Sequence, residues 1–316
     1  MNTLDDAIRM IDCGRVEEGV HLLRTIASGG DPRGLYLLAH ITWSGTHVAQ
    51  DPQRGRLLFE YAAARGHGQA NLFATNLVAT GVAGRRDWSL ALSRLEDEAR
   101  QVPARRRTLA LIAAMDIDAN GDPRSTPEPT PLAERPYVRV FDRLLTPEEC
   151  GYLIEATGDS FEPSMVYNRE RELVRDTIRT SDGATFHWLI EDPAVHALNR
   201  RIASATGTSF DQGEALQVLR YSPGQQYRPH FDFVPDAQNQ RLWTALIYLN
   251  EDYEGGETQF VETGLTFRGR TGDVLLFRNA LPDGSIDDAA RHAGLPVNSG
   301  TKYLATRWVR ERRWIP

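Results

Sequence analysis

Residues 214–232 read EALQVLRYSPGQQYRPHFD. Leu216–Arg220 is rich in apolar and branched residues and predicts a strand. Tyr221–Tyr227 carries turn chemistry in Pro223 and Gly224. Pro229 then holds Arg228 extended. In an extended chain, residues two apart share a side. His230 and Asp232 therefore face one way and Phe231 the other. His292, far downstream, offers a second imidazole. Two imidazoles and one carboxylate can occupy one face of an Fe(II) ion and leave the other open. The chain holds eight histidines, so a lone His-x-Asp carries little, and a loop or core histidine is the alternative for His230 alone. Order, spacing and the sequence between the ligands carry the weight.

Working outward, the strand signals continue. Leu242–Leu249 (LWTALIYL) reads as a buried strand, Asn250–Gly256 as a turn and Glu257–Val261 as another strand. Phe267–Arg270 leads to a turn at Thr271–Asp273. Val274–Phe277 is a short apolar strand, Leu281–Ala290 a loop, and Lys302–Val309 the closing strand. Short strands between Gly, Asp and Pro turns predict a barrel of the jelly-roll type, in which ligands from different strands converge inside. Lys302 follows His292 by ten residues. A lysine amid apolar strand residues is costly to bury unpaired. A bound carboxylate would pair it, and a protein acid is the alternative.

Several pieces recur together: IRTSDG (178–183), EALQVLRYSPGQQYRPHFD (214–232), RLWTALIYLN (241–250), EGGETQF (254–260), GDVLLF (272–277) and RHAGLPVNSGTKYLATRWVRE (291–311). In this order they resemble the catalytic core of the prolyl 4-hydroxylases, a branch of the 2-oxoglutarate/Fe(II) dioxygenases, over roughly residues 136–316. The resemblance implies His230, Asp232 and His292 as iron ligands. It implies Lys302 as partner of the far carboxylate of 2-oxoglutarate, with Tyr221 and Thr258 holding the same co-substrate through their hydroxyls. It places Arg179, Ser181, Glu214, Tyr227, Arg241 and Trp308 against a peptide or its target proline. No protein nucleophile is implied beyond the metal centre. The implied cofactors are Fe(II), 2-oxoglutarate and O₂, with ascorbate as a further candidate.

Plainer readings exist for several of these residues. Tyr221 and Tyr227 can be strand-end aromatics, Arg241 a surface charge and Trp308 a core residue. A hydrolytic zinc site built from two His and an Asp fits the ligand types but leaves Lys302 unexplained. Cys13 and Cys150 lie outside the motif, which argues against a thiolate zinc site.

Residues 1–118 are of another kind: Ala-, Leu- and Arg-rich, with helical periodicity. A repeat appears at a shift of 36: Gly19/Gly55, Gly30/Gly66, Gly45/Gly81, Asp51/Asp87, and Leu23/Phe59/Leu95 with Ala27/Ala63/Ala99 across three copies. Such a period predicts stacked helix pairs, and the run AAARGHGQA (62–70) resembles Sel-like, tetratricopeptide-like repeats. The expected role is a surface for a protein partner, or else a helical cap on the catalytic domain. Residues 119–136, with five prolines, predict a linker, and residues 137–316 the dioxygenase domain. Thr146, Pro147 and Glu149 predict a capped helix start. The fold class expected is α+β: a helical repeat domain followed by a double-stranded β-helix (jelly roll).

The 316 residues carry a net charge of −7 with 41% hydrophobic and 25% charged residues, a globular composition with no general attraction to nucleic acid. Arg307, Arg310, Arg312 and Arg313 form a basic run, expected as a solvated face or a site for an acidic partner. Two cysteines, no secretory-type leader and no membrane-length apolar run predict a cytoplasmic protein without a membrane partner. The expected activity is hydroxylation of a substrate C–H, a prolyl residue of a peptide or protein, with release of succinate and CO₂. The alternatives are a hydroxylase of a free amino acid or other small molecule, and a catalytically idle binding protein that works through its repeats.

Overall fold

The computed structural model describes residues 3–167, 173–175 and 178–315. The chain divides into two compact units, Met1–Ala114 with Trp188–His196, and Met115–His187 with Ala197–Ile315.

In the first unit seven helices follow one another: α1 (Leu4–Asp12), α2 (Val16–Ser28), α3 (Pro32–Ser44), α4 (Pro52–Ala64), α5 (Gly68–Thr80), α6 (Trp88–Ala99) and α7 (Pro103–Ala114). The 36-residue shift is visible in their ends. Gly45 and Gly81 close α3 and α5 at φ +76° and +74°, a left-handed conformation that glycine adopts without a Cβ penalty. Asp51 and Asp87 open α4 and α6, each accepting a backbone N–H at 2.9 Å. Leu23, Phe59 and Leu95 are all buried, so one residue position of the repeat lies in the core in each copy. Gly19 lets α2 approach α1 closely, since a Cβ there would come 2.6 Å from Ile11 Cγ1. Buried Glu98 is well paired: it accepts from Asn71 at 2.8 Å and Thr75 at 2.6 Å, and meets Arg105 Nε at 2.9 Å. The segment 188–196 is stitched in by Asn76 Nδ2, which donates to Leu189 O at 2.7 Å. The unit is therefore discontinuous in sequence.

The second unit carries the strands β1 (Thr130–Ala133), β2 (Val138–Phe141), β3 (Glu162–Pro163), β4 (Met165–Tyr167), β5 (Leu173–Arg175), β6 (Asp182–Phe186), β7 (Leu216–Tyr221) and β8 (Tyr227–His230). They are followed by β9 (Arg241–Tyr248), β10 (Tyr253–Gly255), β11 (Thr258–Phe260), β12 (Thr266–Phe267), β13 (Val274–Arg278), β14 (His292–Gly294), β15 (Val297–Gly300) and β16 (Lys302–Arg310). An eight-stranded sheet runs β1-β2-β13-β9-β16-β7-β6-β3 and a four-stranded one β12-β11-β14-β8. Every pairing within them is antiparallel. Val140, Leu246, Tyr248, Leu275, Phe277 and Leu304 from the large sheet pack with Phe260 of the small one in a single core cluster. This is the two-sheet, jelly-roll arrangement. The proline-rich stretch supplies an edge strand: β1 pairs with β2 alone, and an edge tolerates Pro131 because its outer groups need no partner.

Two helices complete this part of the chain, α8 (Pro147–Thr157) and α9 (Pro193–Thr206). The start of α8 has the expected capping box, with Glu149 N donating to Thr146 Oγ1 and Thr146 N to Glu149 Oε2. Glu149 is also held by Arg201 through two hydrogen bonds of 2.6 and 2.9 Å.

The basic run near the chain's end is not one solvated face. Arg307 and Arg310 are 1% and 7% exposed, whereas Arg312 and Arg313 are exposed. Arg307 packs against Phe210, to whose carbonyl its Nη2 donates at 3.1 Å, and Arg310 Nε donates to Glu214 at 2.6 Å.

Candidate metal centre

β8 and β14 are neighbours, and in their register His230 lies directly opposite His292. Cross-strand neighbours bring side chains within contact. Asp232 follows two residues after the end of β8, in a bend rather than in the strand. One ligand atom from each of the three lies within 4.8 Å of the others. Nε2 of His230 is 3.8 Å from Asp232 Oδ1, and Nε2 of His292 is 3.6 Å from Asp232 Oδ2.

The backbone orients both rings. His230 Nδ1 meets the carbonyl of Arg228 at 2.8 Å, and His292 Nδ1 that of Ala290 at 3.0 Å. A carbonyl only accepts, so each Nδ1 carries a proton, and Nε2 is the nitrogen each ring turns toward Asp232 and a metal. Burial, then the neighbouring His292, pushes His230 down to about 3, so its imidazole is neutral at pH 7. Burial opposes ionisation of Asp232, but His292, His230, Arg241 and the Thr244 hydroxyl outweigh it and hold the carboxyl below its usual range. Neutral imidazole nitrogens and an ionised carboxylate are the donor set a divalent cation needs, and the residues fit Fe(II). Thr244 Oγ1 donates to Asp232 Oδ2 at 2.7 Å and accepts from Asn279 Nδ2 at 2.9 Å.

One cavity is lined by the triad together with Arg179, Tyr221, Tyr227, Thr258, Lys302 and Trp308. Leu219, Leu246, Leu304 and Thr306 complete its wall. Lys302 faces Tyr221 across the β16–β7 ladder. Its Nζ donates to Gly256 O at 2.6 Å and lies 5.5 and 5.4 Å from the ring centres of Tyr221 and Tyr248. Among the described residues no carboxylate stands within ion-pair distance. Burial brings the ammonium down to about 7, with Glu257 opposing. Such a group is poised to take up an anionic partner. Thr258 is buried and its hydroxyl shares a 2.8 Å hydrogen bond with Tyr248. Tyr227 stacks on His230 with ring centres 3.3 Å apart, and the Arg179 guanidinium lies 5.5 Å from the Tyr227 ring centre. Arg179 Nε and Trp308 Nε1 are buried donors without a hydrogen-bond acceptor among the described residues.

Ser181, Glu214 and Arg241 do not line this cavity. Ser181 is buried against Ser164, oxygen to oxygen 3.2 Å. Glu214 and Arg241 form a two-pronged ion pair at 2.6 and 2.9 Å, with the Arg241 guanidinium 3.8 Å over the Trp308 ring. Sequence reasoning missed Thr244, Asn279 and Thr306, and read Arg310 only as part of the basic run. Thr244 left a signal, being the polar residue inside the apolar run 242–249. Asn279 left none, because its partner is distant in sequence.

Residues 216–310 match the model of the 2OG-Fe(II) oxygenase superfamily. Among curated proteins, probable prolyl 4-hydroxylase 10 of Arabidopsis thaliana is 35% identical over 204 residues, 57% of this chain and 70% of the relative. Prolyl 4-hydroxylase 1 of the same plant is 34% identical over 205 residues, 58% of this chain and 72% of the relative. Among solved structures, a viral collagen prolyl hydroxylase from Paramecium Bursaria Chlorella virus-1, in its 2OG complex, is 28% identical. It covers 57% of this chain and 98% of its own, with a TM-score of 0.44. Motif order, the triad's convergence and these sequence identities agree, and the chain belongs to the prolyl 4-hydroxylase group of the 2OG-Fe(II) oxygenase superfamily, enzymes that use Fe(II) and 2-oxoglutarate.

Proposed function

We propose that this dioxygenase hydroxylates a prolyl residue within a peptide or protein. The observation that carries the reading is the pair of unmatched buried donors, Arg179 Nε and Trp308 Nε1, in the wall of the cavity that holds the triad. Buried donors are ordinarily satisfied, and the carbonyls of a peptide are the acceptors they lack. The relatives' names point to the same residue type.

His230 and His292 would hold the metal through Nε2, and Asp232 through a carboxylate oxygen. Lys302 pairs with the far carboxylate of 2-oxoglutarate, and Tyr221 and Thr258 border the same end. Bound iron and 2-oxoglutarate supply the oxidising chemistry, in which one atom of O₂ enters a substrate C–H and the other enters succinate with loss of CO₂. Leu219, Leu246 and Leu304 keep water from the cavity. Tyr227, Arg179 and Trp308 orient the substrate, with Arg241 and Glu214 fixing the indole of Trp308.

Ascorbate as an accessory reductant follows from the resemblance. A reducing, cytoplasmic setting is supported by the free thiols of Cys13 and Cys150. Among the described residues no helix is long and apolar enough to cross a membrane. Residues 1–118 are read as Sel-like repeats that offer a protein partner a surface, 119–136 as the connection and 137–316 as the dioxygenase domain. The test is succinate formation with proline-containing peptides against free L-proline. Stimulation by peptides and little by proline is expected. Turnover of proline with no response to any peptide would favour a small-molecule hydroxylase.

A further inference from the structure

Trp308 ends a ladder in which three charged groups lie between two indoles. Arg241 lies 3.8 Å over its ring and donates to both oxygens of Glu214. Arg310 Nε donates to the same carboxylate at 2.6 Å, and its guanidinium carbon lies 4.1 Å over the ring of Trp314. The sequence of contacts is Trp308, Arg241, Glu214, Arg310, Trp314. It begins in the cavity wall and ends at an indole that is 46% exposed.

Trp314 lies beyond the last strand, yet its segment is pinned. The backbone N–H groups of Trp314 and Ile315 donate to Asp211 O at 2.7 and 3.3 Å, and Ile315 is buried. Asn239 Nδ2 donates to the carbonyls of Arg312 and Arg313 at 3.1 Å each, and Asn239 Oδ1 accepts from Arg312 N at 2.9 Å. Gln212 Nε2 donates to the carbonyls of Arg310 and Glu311 at 2.9 Å. A scattered exposed aromatic needs no explanation. An exposed indole on a pinned segment, stacked on a cation that a half-buried carboxylate fixes, is a preorganised platform.

We propose that Trp314 is a second substrate subsite, which takes a proline ring flanking the target residue in an extended, proline-rich chain. The proposal rests on the peptide reading above. An extended polyproline segment has no internal hydrogen bonds and advances about 3.1 Å per residue. Aromatic surfaces dock such segments. Continuity of the ladder with the cavity wall selects the substrate itself as occupant rather than a separate partner.

The test uses the full chain with iron and 2-oxoglutarate. It compares a proline-rich peptide of about fifteen residues with a tripeptide centred on a single proline, which carries no flanking proline ring for the platform. Trp314→Ala is expected to raise KM for the long peptide about tenfold, the scale of losing one aromatic anchor. The rise is confined to the long peptide, kcat is kept, and Trp314→Phe restores most of the affinity. Equal KM changes for both peptides, or none, overturn the subsite. Binding is read separately from turnover through the Trp314 indole N–H resonance, assigned by its loss in Trp314→Ala. A shift of that resonance by the long peptide without turnover overturns the prolyl reading and keeps the subsite. No shift overturns the subsite.

Discussion

Thr244 donates its hydroxyl proton to Oδ2 of Asp232 at 2.7 Å, and Asn279 in turn donates to Thr244 at 2.9 Å. All three side chains are buried. The carboxylate that completes the triad is thus held by a chain of two hydrogen bonds reaching across β9 and past β13. Thr244→Val keeps the shape and removes the bond. The Fe(II) concentration for half-maximal succinate formation is expected to rise about tenfold or more, with Thr244→Ser close to the parent. An unchanged iron requirement in the valine variant means that Asp232 is oriented by other groups.

His230→Ala and Asp232→Ala are each expected to abolish Fe(II)-dependent succinate formation. Their far-ultraviolet circular dichroism should match the parent, because neither side chain belongs to the apolar cluster between the sheets. Full turnover in either variant removes that residue from the triad.

Lys302→Ala is expected to weaken 2-oxoglutarate binding by about 2–3 kcal/mol, the scale of a charge-assisted hydrogen bond, while the iron requirement changes little. The pH dependence has a definite sign. Burial lowers Lys302 to about 7, so below pH 7 the free enzyme carries the ammonium and above it a neutral amine. Affinity for 2-oxoglutarate should therefore fall as pH rises above about 7, with proton uptake on binding. Calorimetry in buffers of different ionisation heat measures that uptake, and its absence at pH 8 places the titration elsewhere.

Glu214 accepts from two guanidinium groups whose side chains are 18% and 8% exposed. Glu214→Ala leaves both cations without their carboxylate, and a loss of about 3 kcal/mol of folding stability is expected. Urea unfolding measures it, and a loss under about 0.5 kcal/mol, the range of ordinary surface substitutions, shows the pair to be no more than a surface contact.

In the helical unit, Gly81→Ala places a Cβ at φ +74°, 2.8 Å from Arg86 Cβ. A cost of about 1–2 kcal/mol is expected from the left-handed conformation. Gly68→Ala, in α5 with open space around it, is expected to be neutral or stabilising by up to about 1 kcal/mol. Thermal unfolding of the two variants separates them, and equal midpoints contradict the assignment.

The strands were legible because each is a short apolar run between turn residues. His230 and Asp232 were expected to converge by strand alternation, but β8 ends at His230 and a bend carries Asp232 to the same place. Pairing His292 with His230 needed the sheet register, which local sequence does not encode. The basic run 307–313 misled for the same reason: charge is visible in sequence, but the burial of Arg307 against Phe210 and of Arg310 against Glu214 comes from partners about a hundred residues earlier. Thr244 and Asn279 act through a partner many residues away. The helical period of 36 survived in the sequence because the glycines and aspartates that end and begin helices have few substitutes at those backbone angles.

The facing positions of His230 and His292 have a consequence for the protein's lifetime. An ion held by both fastens two strands that are separated by about sixty residues of chain, and it binds the native state alone. At a free Fe(II) concentration a hundred times its dissociation constant, that linkage adds about 2.7 kcal/mol to the native state. Iron starvation then withdraws more than turnover. It shifts the population toward opened forms that proteases cut, so the cellular amount of the protein should track iron supply.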